Sequence, residues 1–119
     1  MPRRLVLLIG STILAVGCNT DSTTNPSPLP QGPTVTIVSG ASALTTTAFN
    51  PNPIIIQHGQ SVTWTNSDGT THDVVANDGS FTTGNLAPSG SGTITFQTAG
   101  AYSYHCAIHP NMVAAVTVQ

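Results

Sequence analysis

The run Tyr102-Ser103-Tyr104-His105-Cys106-Ala107-Ile108-His109-Pro110-Asn111-Met112 holds the densest chemistry in the chain. It spaces a thiol, an imidazole and a thioether as C-x2-H-x2-M, and a tight loop limited by Pro110 can wrap all three round one ion. A thiolate with imidazole and a thioether is a soft donor set that suits copper, and a weak axial Met marks copper sites that move electrons. Structural zinc favours four strong Cys or His donors, for which a thioether is a poor substitute. A site of this kind needs a second imidazole. His72 is the candidate, because it follows a segment ending at Asn66 and the turn Ser67-Asp68-Gly69, and it leads into Val74-Val75-Ala76. Each residue has a plainer reading when taken singly: His72 as a loop histidine, Cys106 as a buried thiol packing like a small hydrophobe, Met112 as core filler. The joint spacing of Cys106, His109 and Met112 favours the ligand reading. His58, at a His-Gly turn, and His105, by strand parity, read as surface residues.

The elements that must position these residues show a period of two. Val35 and Ile37, Val62 and Trp64, Ile94 and Phe96, and Val116 and Val118 alternate with Thr, Ser and Gln. Such alternation predicts half-buried strands. Turn signals separate them at Asn50-Pro51-Asn52-Pro53, Ser67-Asp68-Gly69, Asn77-Asp78-Gly79 and Pro88-Ser89-Gly90. Beyond the N-terminal segment no long amphipathic helical pattern appears, so the expected fold is all-β, an antiparallel Greek-key sandwich. Two sheets packed face to face let a His at one strand end meet the loop between the last two strands. Parity puts Tyr102, Tyr104 and Cys106 on one face, with the sulfur entering the interior. Trp64, Phe81, Phe96, Tyr102 and Tyr104 are the expected aromatic core.

The first residues belong to a different regime. Arg3 and Arg4 precede a mostly apolar stretch from Leu5 to Val16, which reads as a secretory leader over 1–17. Its exit, Leu14-Ala15-Val16-Gly17-Cys18, resembles a bacterial lipobox, which implies cleavage before Cys18 and lipid attachment to its thiol. The alternative is a plain signal peptide and a secreted product. Residues 18–33, rich in Thr, Asn, Ser and Pro, form a tether that cannot build a core. The folded domain is expected over 34–119. The expected location is extracytoplasmic, at the periplasmic or outer-membrane face, with membrane contact only through the anchor.

Of the 119 residues, the only Lys or Arg are Arg3 and Arg4, and both leave with the leader. A mature chain without basic side chains has nothing to displace phosphate counterions, which disfavours nucleic acid as a partner. Asp21, Asp68, Asp73 and Asp78 read as solubilising charges. With Cys18 lipidated, Cys106 stands alone in an oxidising compartment, a liability unless a metal holds it as thiolate.

Together, Phe49-Asn50-Pro51, Gly59-Gln60-Ser61-Val62-Thr63-Trp64-Thr65-Asn66, Thr71-His72-Asp73-Val74, Phe81-Thr82-Thr83-Gly84, Phe96 through Tyr102 and the ligand loop resemble the plastocyanin/amicyanin group of cupredoxins, the type 1 blue copper proteins. The short ligand loop is closer to amicyanin. The resemblance covers about Phe49 to Val118 and implies one mononuclear copper held by His72, Cys106, His109 and Met112. It further implies that the Asp73 amide donates to the Cys106 sulfur, and that an apolar patch around His109 (Ile108, Pro110, Val113 and Ala114) docks redox partner proteins and passes the electron. Asp73 stands where plastocyanins often have Asn, and Ala114 where the family often has Gly. The implied function is single-electron transfer by a monomer that is not an enzyme. A copper carrier or storage module is the alternative, and an oxidase or reductase domain would need a further copper site.

Overall fold

The computed structural model describes residues 32–119, so the leader, Cys18 and most of the tether lie outside the described residues. Eight strands form two four-stranded sheets: β1 Thr34–Ile37, β2 Phe49–Asn50, β3 Ile54–Ile56, β4 Ser61–Asn66, β5 Val75–Ala76, β6 Ser91–Thr95, β7 Gly100–His105 and β8 Val113–Val118. One sheet has the order β2-β1-β4-β6 and the other β3-β8-β7-β5. A single 3-10 turn at Ala41–Ala43 is the only helical element among the described residues.

The fold is the expected all-β sandwich, with mixed rather than wholly antiparallel sheets. β1 runs parallel to β4, and β3 parallel to β8. Parallel neighbours cannot be joined by a tight hairpin and need a crossover of a dozen or more residues. The segment from Val38 to Gln60 supplies one, leaving β2 on one sheet and β3 on the other on its way. Antiparallel pairing joins the remaining neighbours, β7 and β8 most extensively.

Alternation decides which side chains meet between the sheets. Val35, Ile37, Val62, Trp64 and Phe96 are buried from one side; Ile54, Ile56, Tyr104, Val116 and Val118 from the other. On the outer face of the β4–β6 pair, hydroxyls bond across the strands at Ser61–Thr95, Thr63–Thr93 and Thr65–Ser91. Cross-strand pairs of this type contribute roughly 0.2–1 kcal/mol each.

The aromatic core centres on Trp64 and Tyr104, both fully buried. The indole N–H donates to the Tyr104 hydroxyl at 3.1 Å, and the rings meet edge to face at 5.4 Å. Phe49 closes on Tyr104 from a third direction at 4.9 Å. Because Tyr104 lies two residues before Cys106 on the same face of β7, this clamp fixes the strand that delivers the sulfur. Burial pushes the Tyr104 phenol far above its ordinary range, so it stays neutral. Phe81 and Tyr102, expected in the core, are only half-buried and line a shallow surface groove with Phe96. Tyr102 is held at that edge because its hydroxyl donates to the Thr98 carbonyl.

Candidate metal centre

The site is built from two loops at one end of the sandwich. The first leaves β4 at Asn66. This residue shares the inward parity of Val62 and Trp64, and its side chain is fully buried. A buried amide must find partners. Its Nδ2 donates to the Thr70 and Leu86 carbonyls, and its Oδ1 accepts from the Asp68 amide. The loop 67–71 is thereby wound around one strand-end side chain. Leu86 then exchanges backbone hydrogen bonds with His72 in an isolated antiparallel bridge. Gly92 on β6 allows the Thr83–Leu86 segment to lie this close: a Cβ there would stand 3.0 Å from Thr83 Cβ and 3.2 Å from Leu86 Cδ2.

The second loop runs from Cys106 to Met112 and closes on itself. Cys106 N–H donates to the Met112 carbonyl at 3.1 Å, and Met112 N–H donates to the His109 carbonyl at 3.0 Å. Asp73 ties the two loops together. Its amide points at Cys106 Sγ at 3.5 Å, and its carboxylate accepts from the Ala107 amide at 2.6 Å. The amide–sulfur contact is the one the sequence resemblance implied.

His72, Cys106 and His109 converge. Sγ lies 3.8 Å from His72 Nδ1 and 3.9 Å from His109 Nδ1, and the two nitrogens are 3.1 Å apart. A point equidistant from the three lies about 2.1 Å from each, matching the roughly 2.0–2.3 Å of N and S bonds to a first-row ion. Protonation logic agrees. His72 Nε2 is 2.8 Å from Asp68 Oδ2. A carboxylate only accepts, so the ring donates from Nε2 and, when neutral, turns the Nδ1 lone pair toward the other two donors. Three electron-rich atoms facing one another in a buried space call for a cation, and their chemistry fits copper.

His72 and Cys106 are fully buried and His109 is half-buried. Burial pushes the Cys106 thiol up, opposed by the amides of Asp73, His109 and Ile108. Binding a metal there therefore releases a proton. Met112 is also fully buried, at the closure of the same loop. Cys106 is the free cysteine among the described residues. His58 is exposed, as expected. His105 is turned away from the site, half-exposed, with Nδ1 2.6 Å from Asn77 Oδ1. Ile108, Pro110 and Val113 lie on the surface, but Ala114 is buried on the inward parity of β8 and does not belong to the patch.

Asp68 and Asn66 were not expected to serve the site. Asp68 is a positioning residue rather than a solubilising charge: one oxygen accepts from the Gly40 amide at 2.9 Å and the other faces His72. The available signals were its position four residues before His72 and, for Asn66, a polar residue on an apolar parity. The His72 hydrogen bond, followed by the Gly40 amide, holds the Asp68 carboxyl below its ordinary value of 3.8. A carboxyl depressed on folding contributes stability that is complete above its unfolded value and is lost as pH falls through the folded value. In metal-free protein, D68N is thus expected to lower Tm at neutral pH and to converge with the parent below pH 3.8. Thermal melts across pH check this, and parallel curves would refute it.

The fold and the donor geometry together define a cupredoxin. The chain belongs to the cupredoxin-like domain family, whose model matches residues 12–118; the cupredoxins are electron-transfer copper proteins. Among its relatives, chloroplastic plastocyanin of Tetradesmus obliquus is 37% identical over 84 residues, covering 60% of this chain. The chain spans 58% of that protein's length. Plastocyanin of Scenedesmus fuscus is 32% identical over 84 residues, covering 60% of this chain and 86% of that protein. A purple cupredoxin from Nitrosopumilus maritimus superposes with a TM-score of 0.68 at 28% identity, covering 74% of this chain and 100% of that one. A variant of amicyanin in its reduced Cu(I) form superposes with a TM-score of 0.60 at 26% identity, covering 72% of this chain and 80% of that one.

Proposed function

We propose that this chain carries single electrons by means of one copper ion held by His72, Cys106, His109 and Met112. The observation that carries the reading is the convergence of Cys106 Sγ with the Nδ1 atoms of His72 and His109. Copper bound there supplies a one-electron Cu(I)/Cu(II) couple. The chain's own contribution is to keep the donors still: Asn66 and Asp68 orient His72, while Asp73 and the loop amides hold Cys106. A site that barely rearranges between charge states exchanges electrons quickly.

His109 is the ligand nearest solvent, and Ile108, Pro110 and Val113 are exposed around it, with Ile108 at 44% and Val113 at 37%. This apolar patch is the docking face for redox partner proteins and the electron exit. A mature chain without Lys or Arg attracts partners mainly through that patch, so the electron-transfer rate is expected to change less than about twofold with moderate added salt. Stopped-flow reduction across ionic strength checks this; a steep slope would assign docking to charge. Membership of the cupredoxin-like family, whose members are generally electron carriers, supports an electron carrier rather than an enzyme. The lipobox-like Cys18 supports anchoring at the periplasmic or outer-membrane face, with leader 1–17, tether 18–33 and domain 34–119.

The deciding experiment is the visible and electron-spin-resonance spectrum of the mature chain after Cu(II) addition. An intense colour, bleached by a mild reductant and restored by an oxidant, is the expected outcome. Metal bound without colour would mean no Cys106–copper bond and would favour a copper carrier.

A further inference from the structure

We propose that the carboxylates of Asp68 and Asp73 set the redox poise of the centre, lowering its reduction potential by favouring the more positive charge state. The inference rests on the reading of the site as a redox copper centre. Asp68 Oδ2 stands 2.8 Å from His72 Nε2, so its charge is one imidazole ring away from the donor triangle. Asp73 is 8% exposed and is bonded to both sides of the Cys106 peptide region, through its own amide to Sγ and through its carboxylate to the Ala107 amide. No Lys or Arg follows Arg4, so no lysine or arginine among the described residues offsets these acids. The remaining described carboxylate, Asp78, is occupied in its own turn with Ser80. His58 and His105 are engaged elsewhere, with the Gln119 carbonyl and Asn77.

An anion beside a metal stabilises its divalent over its monovalent state. At an effective dielectric of about 20, a unit charge within roughly 7 Å changes a one-electron equilibrium by about tenfold or more. The two acids test different parts of the idea. Asp73→Asn keeps an oxygen that can accept from Ala107 and removes only the charge. Asp68 accepts through both oxygens, and an Asn offers only one acceptor oxygen. Asp68→Asn therefore removes the charge and one positioning bond together.

Cu(I) and Cu(II) affinities of the parent, D73N and D68N are measured by chelator competition, and potentials by protein-film voltammetry. D73N is expected to lower the ratio of Cu(II) to Cu(I) affinity about tenfold, a rise of about 59 mV for one electron. D68N is expected to move the ratio in the same direction and to weaken both affinities further than D73N does, because a positioning bond to His72 is lost along with the charge. An unchanged ratio in D73N, or a fall in potential, overturns the proposal even when the parent is blue. If D73N does not fold, the D68N ratio decides by the same criterion. A parent that binds no copper overturns the functional reading and this inference with it.

Discussion

Cys106→Ser is expected to fold and to lose both the intense visible absorption and tight copper binding. Cys106 is the free cysteine among the described residues, and its sulfur is the soft corner of the donor triangle, a thiolate once a metal displaces its proton. Serine keeps the size and can still accept from the Asp73 amide, so the loop retains its ties. It does not supply a thiolate, and a neutral hydroxyl is a weak donor to copper. Losing even an outer partner of a metal ligand typically costs 10–100-fold in affinity, so removal of the thiolate itself is expected to cost more than about 100-fold. Absorption spectroscopy and chelator competition check both parts. Retained colour would place the copper–sulfur bond outside the described residues, at Cys18, and would dismantle the proposed ligand set.

The second large effect falls on the core beneath the site. Trp64→Ala is expected to cost about 3–5 kcal/mol, the usual range for truncating a buried large aromatic. Against a total stability of roughly 5–15 kcal/mol, this removes between about a fifth and all of the metal-free domain's margin. Trp64 is fully buried, stacks on Phe81 at 6.1 Å and donates to the Tyr104 hydroxyl. Its loss leaves a cavity and strips Tyr104 of a partner in the same step. Urea unfolding of metal-free protein measures the change. Because Tyr104 sets the path of β7 into Cys106, copper affinity is expected to fall with stability. A loss of stability with unchanged affinity would show that the ligand loops hold their geometry independently of the clamp.

The outer ring of the site explains why a small, weakly charged chain can maintain such a centre. His72 is not merely delivered by a strand end. Asn66 winds the preceding loop, Asp68 sets the face the imidazole presents, and Leu86 pins its backbone. On the other loop, Asp73 joins Cys106 and Ala107 to the His72 segment. Asn52 braces the start of β8, its Nδ2 donating to the Thr46 and Val113 carbonyls and its Oδ1 accepting from the Ala115 amide. The ties of Asn66 and Asp68 within the first loop are local, whereas those of Asp73, Leu86 and Asn52 to Cys106, Ala107, His72, Val113 and Ala115 join residues distant in sequence, so the donor positions depend on the whole end of the sandwich.

The sequence by itself was enough for the strand pattern, the inward faces of β1, β4 and β8, and the identity of the loop that carries Cys106, His109 and Met112. Side-chain parity and ligand spacing are local properties, and local properties survive in a linear string. It also placed His72 beside the loop, since a strand end followed by a turn leads to one rim of a sandwich. Only the tertiary structure decided that the sheets are mixed, because parallel pairing depends on where a crossover lands. Only the tertiary structure turned Asp68 from a solubilising charge into the partner of His72, and moved Ala114 from the surface patch into the core. The Asp68–His72 pair spans only four residues, but which way that loop folds is set by longer-range bonds such as the Gly40 amide on Asp68, and the burial of Ala114 by packing between the sheets.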